Sequence, residues 1–260
     1  MEIRESGNAY PEYSRVSVKT AEPSGTFREE LRFLPEEYHL SVQILPGPEK
    51  RKEAPEETRE NRLEFICTPS FLPEMVLGHL LTEGMIRSGE DVVSLEVFRD
   101  RGEARLILRE DAAFFSREQA EETVCGAPAG LRPEPLLRPE WIRGMEERIR
   151  EETELRALTH AVHSAVLSHR GEIVFAAEDI GRHNAVDKAA GFALRNGIPL
   201  RECLLYTTGR MPSDMVMKAV RAGIPVLAGG KGPTAEGMRA AKKYGLVLAG
   251  NIRNGKISFY

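Results

Sequence analysis

The sequence is poor in the residue types that mark several classes of protein. Its 260 residues include only three cysteines, Cys67, Cys125 and Cys203, and no two of them form a Cys-x-x-Cys pair. An odd number of cysteines in a chain of this length argues against a disulfide scaffold, and the missing pair argues against a structural zinc site. No uninterrupted apolar run approaches the roughly 20 residues that a membrane helix needs.

The sequence also lacks a large excess of charge of either sign. Its net charge is -4, which gives no general attraction to nucleic acid or to an anionic membrane. The first 15 residues are charged and contain no apolar signal-peptide core. Hydrophobic residues make up 41% and charged residues 29%, which is an ordinary composition with enough length for a sizeable core. We therefore expect a cytoplasmic protein with neither a nucleic-acid nor a membrane partner.

Composition divides the chain into four predicted segments. Residues 1–36 are polar without a clear period, which predicts an irregular arm. Residues 37–125 combine strand patterns with a helical pattern over 72–86, which predicts a smaller α+β portion. Residues 126–140 contain four prolines, which predicts a linker or an exposed loop. Residues 141–260 form the predicted main domain.

Strand and helix patterns alternate regularly after Gly171. The predicted elements, strands and helices in turn, are 172–178, 184–196, 203–207, 213–222, 224–228 and 234–244, followed by strands 246–250 and 257–260. Such alternation requires right-handed crossovers. The sequence therefore predicts an α/β fold with a largely parallel sheet.

One stretch of the main domain, residues 178–188, is too polar and too mixed to be packing material. It joins a predicted buried strand to a predicted helix, whose first amides point outward with partial positive charge. Gly181 lets the backbone approach a ligand, and Arg182 and His183 add donors. The turn therefore predicts an anion site, most simply for phosphate. The alternative is that Asp179 and Arg182 form a structural ion pair and that His183 is a satisfied turn residue.

Other turns are expected at the same place. Thr207–Arg210 and Gly229–Thr234 each follow a predicted strand and precede a helix, and they carry Arg210 and Lys231. Because the carboxyl ends of parallel strands meet at one sheet edge, the three turns together predict an anion or nucleotide site. A fourth basic turn, 251–256, contains Asn-Gly, which equally predicts a plain hairpin.

Cys125 is the cysteine with the most reactive context. It precedes a glycine at the start of a loop, whereas Cys67 and Cys203 lie in apolar strand patterns and are predicted to be buried. The thiolate is the nucleophile, and an ordinary pKa of about 8.5 leaves only a small thiolate fraction at neutral pH. From the residues alone, Cys125 is either a reactive thiol or an incidental loop cysteine.

The stretch Glu178–Lys188 reads EDIGRHNAVDK and resembles the signature of the FdhD family, the accessory sulfurtransferases of formate dehydrogenase. Cys67-Thr68-Pro69 and Thr159–His163 resemble further motifs of the family, although the second lacks both glycines of T-G-G-x-H. The resemblance covers about residues 38–260. It implies a cytidine-deaminase-like three-layer core with a mixed, largely parallel sheet, and a homodimer.

The resemblance also implies a function for Cys125. This residue matches the first cysteine of the family's Cys-Gly-x-Cys loop, which carries sulfur as a persulfide, and Pro128 replaces the second cysteine. Cys125 is then expected to take sulfur from a cysteine desulfurase. It would pass that sulfur to the molybdenum of a bis(molybdopterin guanine dinucleotide) cofactor for formate dehydrogenase. Pro128 leaves no second thiol for a step through an internal disulfide.

The cofactor site follows from the same resemblance. The family's closing turn, aromatic-x-Arg-x-x-Arg, is associated with the molybdenum cofactor, and Asn251 and Lys256 replace its aromatic residue and second arginine. The phosphates are expected on the turns that carry Arg182, Arg210 and Arg253, and Asp179 is expected to accept a hydrogen bond from a guanine edge. The predicted cofactor-binding residues are Asp179, Arg182, His183, Arg210, Asn251, Ile252, Arg253, Asn254, Gly255 and Lys256.

Two other functions are alternatives to sulfur transfer. A carrier or insertion chaperone could bind the cofactor without sulfur chemistry, with Pro128 marking the decay of a double-cysteine loop. A zinc nucleoside deaminase needs H-x-E and P-C-x-x-C motifs. His183-Asn184-Ala185 lacks the glutamate and no paired cysteines exist, so the sequence predicts neither a deaminase nor a metal site.

Overall fold

A computed structural model of the chain describes residues 1–45, 47, 61–109, 133–253 and 256–260. The strands are β1 Glu2–Ser6, β2 Tyr13–Ala21, β3 Phe27–Pro35, β4 Tyr38–Leu45, β5 Asn61–Cys67, β6 Val92–Phe98, β7 Glu103–Leu108, β8 His163–His169, β9 Glu172–Asp179, β10 Cys203–Thr207, β11 Val226–Gly229, β12 Val247–Arg253 and β13 Lys256–Phe259. The α-helices are α1 Leu72–Thr82, α2 Pro139–Glu152, α3 Glu154–Thr159, α4 Arg182–Arg195, α5 Ser213–Arg221 and α6 Ala235–Tyr244.

The first half of the chain forms a five-stranded mixed sheet. Its order is β1-β6-β7-β4-β5, with β1 parallel to β6 and β4 parallel to β7. Leu40 and Val42 alternate with Ser41 and Gln43 along β4, which places the apolar side chains on one buried face. That face packs against α1, whose side chains belong to the same hydrophobic core.

The second half forms a six-stranded sheet in the order β13-β12-β11-β10-β8-β9. Strands β10, β11 and β12 are parallel to one another, and β8 is antiparallel to both β9 and β10. Consequently β9, β10, β11 and β12 run in the same direction, and their carboxyl ends lie at the same edge. The prediction of a mixed, largely parallel sheet with α/β connections is confirmed, and its likeness to the deaminase fold stays a prediction.

Helices cover both faces of the six-stranded sheet. Helices α4, α5 and α6 contribute to the core that also contains α1, whereas α2 packs through Ile142 and Met145 on the opposite face against Val166 and Leu204. The helices α1 and α4 cross at Gly78 and Gly191. A methyl group added at Gly191 would lie 1.8 Å from the carbonyl oxygen of Glu74, so the two backbones are in direct contact.

The expectation that residues 1–36 form an irregular arm is wrong. This segment contains β1, which pairs with β6, and the antiparallel hairpin β2–β3. The strand pattern is hard to recognise because short apolar residues such as Val16 and Val18 alternate with charged and polar ones. The predicted domain boundaries stay predictions. Among the described residues, no helix is long and apolar enough to span a membrane.

Candidate functional site

The turn after β9 is built around the buried carboxylate of Asp179. Its Oδ2 accepts a hydrogen bond from the Thr68 amide at 3.0 Å and lies 2.7 Å from Lys188 Nζ. Its Oδ1 accepts from the Gly181 amide at 2.8 Å and from Asn184 Nδ2 at 2.9 Å. Both oxygens are therefore engaged within the protein, and Asp179 pairs with Lys188 rather than with Arg182.

Lys188 and Thr68 connect the two halves of the molecule at this point. Lys188 Nζ donates to Thr68 Oγ1 at 2.6 Å and to the Glu178 carbonyl oxygen at 3.2 Å. Thr68 follows β5 of the first sheet, and Glu178 lies in β9 of the second. The stretch that resembles the family signature, Glu178–Lys188, and the further motif Cys67–Pro69 are therefore joined by one buried polar contact.

Glu178 fixes α3 beside the same turn. Its Oε1 accepts from the Arg156 amide at 2.7 Å and its Oε2 accepts from the Leu155 amide at 3.0 Å, which are donors in the first turn of α3. Burial raises the pKa of Glu178, although these two hydrogen bonds act against that shift. Arg156 is thereby placed near the carboxyl end of β9.

Arg182 and His183 begin α4, whose N-cap is Gly181 without a side-chain cap. Arg182 Nη2 lies 3.7 Å from Asp214 Oδ2, and His183 Nε2 lies 3.1 Å from the same oxygen. Asp214 belongs to the first turn of α5 and its side chain is 53% exposed. Burial lowers the pKa of His183, although Asp214 acts to raise it. Both residues thus lie on the rim of the edge, with an exposed carboxylate as their protein partner.

The turns after β9, β10 and β11 lie side by side along the edge, and Asn251 of the closing turn lies beside the last of them. A methyl group added at Gly209 would lie 3.2 Å from Arg182 Cβ, and one at Gly229 would lie 2.8 Å from the Thr207 carbonyl oxygen. One at Gly232 would lie 3.0 Å from Asn251 Oδ1. The expectation that these turns meet is confirmed, and Arg210 and Lys231 are exposed on two of them.

The closing turn is only partly described. Asn251 has a left-handed backbone with φ +53° and donates through Nδ2 to the Tyr260 hydroxyl. Ile252 is buried and packs in the core under α2, so its side chain does not face the edge. Lys256 is exposed at the start of β13. The Arg253 side chain, together with Asn254 and Gly255, lies outside the described residues.

His163 also lies at this edge, although the sequence alone did not identify it as a site residue. It begins β8 and lies opposite Asp179 in the β8–β9 pair. Burial lowers the pKa of His163, and Lys231, Arg182 and Arg156 lower it further. The signal that could have identified it is its place at the end of the divergent Thr159–His163 motif.

Two of the three cysteines are placed by the structure. Cys67 and Cys203 are both fully buried, and burial raises the pKa of each to about 12. The prediction that these two act as small core residues is confirmed, because their thiolate forms are disfavoured. Cys125, the predicted sulfur-carrying residue, lies outside the described residues.

A cavity of about 410 Å³ opens beside α4, on the side of β5. Its inner wall includes Asp187, whose oxygens lie 3.0 Å from Lys218 Nζ and whose Oδ2 lies 3.2 Å from His79 Nδ1. Lys218 Nζ also lies 2.7 Å from Glu83 Oε1. These charges are mutually satisfied, so the group joins α1, α4 and α5.

Taken together, the fold and the edge define a class: a mixed α/β protein with several cationic turns at one end of a mainly parallel sheet. The sequence model of the FdhD/NarQ family matches residues 58–260. The chain therefore belongs to the FdhD/NarQ family.

Individual relatives agree with this family membership. The chain is 30% identical over 214 residues to a sulfur carrier protein FdhD of Halalkalibacterium halodurans, covering 75% of this chain and 79% of the relative. It is 33% identical over 207 residues to that of Methanothermobacter thermautotrophicus, covering 75% and 81%. A crystal structure from Desulfotalea psychrophila, assigned as a formate dehydrogenase accessory protein, matches with a TM-score of 0.77 and 25% identity, covering 96% of each chain.

Proposed function

We propose that the protein is a sulfurtransferase that carries persulfide sulfur from a cysteine desulfurase to the bis(molybdopterin guanine dinucleotide) cofactor of formate dehydrogenase. The observation that carries the proposal is family membership over residues 58–260, together with relatives named sulfur carrier proteins. The names of those relatives do not specify the donor or the cofactor, which come from the resemblance of the motifs.

Cys125 is the residue that we assign to sulfur carriage. Cys67 and Cys203 are buried with pKa values of about 12, so neither supplies a thiolate at neutral pH. The Cys125 thiolate attacks the outer sulfur of the desulfurase persulfide. The sulfur–sulfur bond of the donor breaks, its cysteine thiolate leaves, and Cys125 holds the transferred sulfur. No second thiol is needed for this exchange, which accommodates Pro128.

The turns Asp179–Asn184, Thr207–Arg210 and Gly229–Thr234 together form the edge of turns. We assign this edge to the nucleotide ends of the cofactor. Arg182, Arg210 and Lys231 lie on three adjacent turns, and the first amides of α4 have no side-chain cap. Donors and positive charge in this arrangement suit a diphosphate. We include the closing turn, 251–256, in the proposed site because its sequence resembles the family's turn that is associated with the cofactor.

Asp179 has a different role in the proposal from His183. A guanine contact by Asp179 would require one of its four hydrogen-bonding neighbours to leave, because both oxygens are engaged. We therefore assign Asp179 to shaping the turn, while Arg182 and His183 face the ligand. A homodimer and a reducing cytoplasmic location, which keeps the thiols free, complete the proposal.

The proposal is tested with Cys125→Ala and, as the matched control, Cys203→Ala. Each purified protein is incubated with a cysteine desulfurase and cysteine, and mass spectrometry locates any added sulfur atom. The same variants are expressed in cells without their own carrier, and formate dehydrogenase activity is measured. We expect Cys125→Ala to lose both the adduct and the activation, while Cys203→Ala keeps both. Full activation by Cys125→Ala would overturn the assignment.

A second function, cofactor carriage without sulfur chemistry, is favoured by one observation, the replacement of the second loop cysteine by Pro128. Under this function the wild-type protein acquires no sulfur from the desulfurase, and Cys125→Ala activates formate dehydrogenase normally. Both functions predict binding of the nucleotide at the edge, so the sulfur adduct is the measurement that separates them.

A further inference from the structure

His163 is anchored at the junction of two turns of the edge. The residue after it, Ser164, donates its amide to Thr208 Oγ1 at 2.9 Å, and the Thr208 amide donates to the Ser164 carbonyl oxygen at 3.0 Å. On its other side, His163 lies opposite Asp179 across the β8–β9 pair. These contacts fix the backbone of His163 beside the turns after β9 and β10, and its side chain lies on the same face of the sheet as that of Asp179, the residue directly opposite.

The charges that face His163 come from several elements and are mostly positive. Arg156 belongs to α3, Arg182 to α4, and Lys231 to the turn after β11, and all three act on the imidazole. The Asp179 carboxylate acts to raise the pKa of His163. Its Oδ2, however, lies 2.7 Å from Lys188 Nζ, so its negative charge is paired with that ammonium. The surroundings of His163 therefore favour the neutral ring as long as no anion is bound.

We propose that His163 is a proton-coupled binding residue: it takes one proton from solvent when a guanine nucleotide diphosphate binds between Arg182 and Lys231, and it then contacts the anion as an imidazolium. This inference rests on the proposed function of the edge. A bound diphosphate brings negative charge into a cluster of cations and reverses the balance that keeps the ring neutral.

The sign of the pH dependence follows from this coupling. Burial and the three cations lower the pKa of His163 in the free protein, and the bound anion raises it. Binding is therefore tighter at lower pH, by up to about tenfold for each unit by which the ligand raises the pKa. The gain stops below the pKa of the free protein, because the ring is then protonated before the ligand arrives.

His183 is the other histidine on the edge, but it is expected to behave differently. Its Nε2 lies 3.1 Å from Asp214 Oδ2, which supplies a carboxylate whether or not a nucleotide is bound. His163, in contrast, gains a negatively charged neighbour that is not already paired only when the diphosphate binds. Replacing His183 is therefore expected to weaken binding without removing the uptake of a proton.

The experiment is calorimetric titration with GDP-mannose, whose diphosphate is esterified at both ends and so does not titrate between pH 6 and 8. Titrations at pH 7 in two buffers of different ionisation enthalpy give the number of protons taken up. We expect a net uptake of protons on binding for the wild type, at most one per site. We expect none for His163→Gln, whose affinity no longer changes between pH 6 and 8. His169→Gln, at the far end of β8 and beside Glu202, is the matched control and keeps the uptake.

The outcomes separate this inference from the proposed function. A wild-type protein that does not bind GDP-mannose overturns the nucleotide site itself. Binding without proton uptake, or uptake that survives in His163→Gln and disappears in His183→Gln, overturns only the role of His163. If His163→Gln does not fold, histidine NMR of the wild type decides. One of the six histidine signals must then show a pKa that rises on ligand addition, and it must not be His183, identified by its own variant.

Discussion

Lys188 Nζ lies 2.7 Å from Asp179 Oδ2, and both side chains are completely buried. Lys188 also donates to Thr68 Oγ1, so a single ammonium joins the end of β5 to the end of β9. The pair therefore holds together the two sheets at the place where the edge of turns begins. In the family signature, these two residues form the support, and Arg182 and His183 between them reach the surface.

Removal of the ammonium should strongly destabilise the protein. We expect Lys188→Met to lower the free energy of unfolding by about 3–5 kcal/mol, because it leaves the Asp179 carboxylate buried without its cation. Urea unfolding followed by circular dichroism measures the change. Lys242→Met, on the exposed face of α6, is the matched control and should stay within about 0.5 kcal/mol of the wild type. A loss below about 1 kcal/mol for Lys188→Met would contradict the supporting role of the pair.

Replacing glycine with alanine is expected to destabilise the protein at the crossing of α1 and α4 and to stabilise it in α2. Gly191→Ala places a methyl group 1.8 Å from the carbonyl oxygen of Glu74, and we expect it to destabilise the protein by about 1–3 kcal/mol or more. Gly144→Ala in α2 meets no atom within 4 Å, and we expect it to stabilise the protein by about 0.5–1 kcal/mol. Thermal unfolding of both variants is the measurement. Equal effects of the two substitutions would show that α1 and α4 are not in backbone contact at Gly191.

Thiol reactivity should distinguish the three cysteines. Cys67 and Cys203 are fully buried with pKa values of about 12, so we expect the native protein to protect them from iodoacetamide at pH 7.5. Cys125 is expected to react, because its position before a glycine in a loop predicts accessibility. Peptide mass spectrometry before and after unfolding in urea gives the labelled sites. Rapid native labelling of Cys67 or Cys203 would undermine the assignment of sulfur carriage to Cys125.

The second half of the fold was predictable because its signals are local. Strands β9 to β12 each contain a short apolar run, and each crossover helix is followed by a glycine, namely Gly197, Gly223 or Gly245. The direction of the strands then places the turns at one edge. The first 36 residues were not predicted because the alternation in β2 is carried by small apolar residues among charged ones.

The candidate site was predictable in its position but not in its pairing. Arg182 was expected on the edge and lies there, yet its partner Asp214 comes from the next helix along the chain. Asp179 was expected to face a ligand, but its partners include Thr68, which is 111 residues away in sequence. A local pattern identifies which residues are polar and which turn they occupy. It does not identify which distant group satisfies them.

Titration with GDP measures whether the edge of turns binds the nucleotide end of the cofactor. Arg182→Ala is compared with the wild type and with Arg201→Ala, which removes an exposed arginine beside the amino end of β10, away from the edge. We expect Arg182→Ala to weaken GDP binding by about tenfold to a hundredfold, the loss of a hydrogen bond to a charged group, and Arg201→Ala to bind as the wild type does. Equal affinity of all three proteins for GDP would contradict the assignment of the edge.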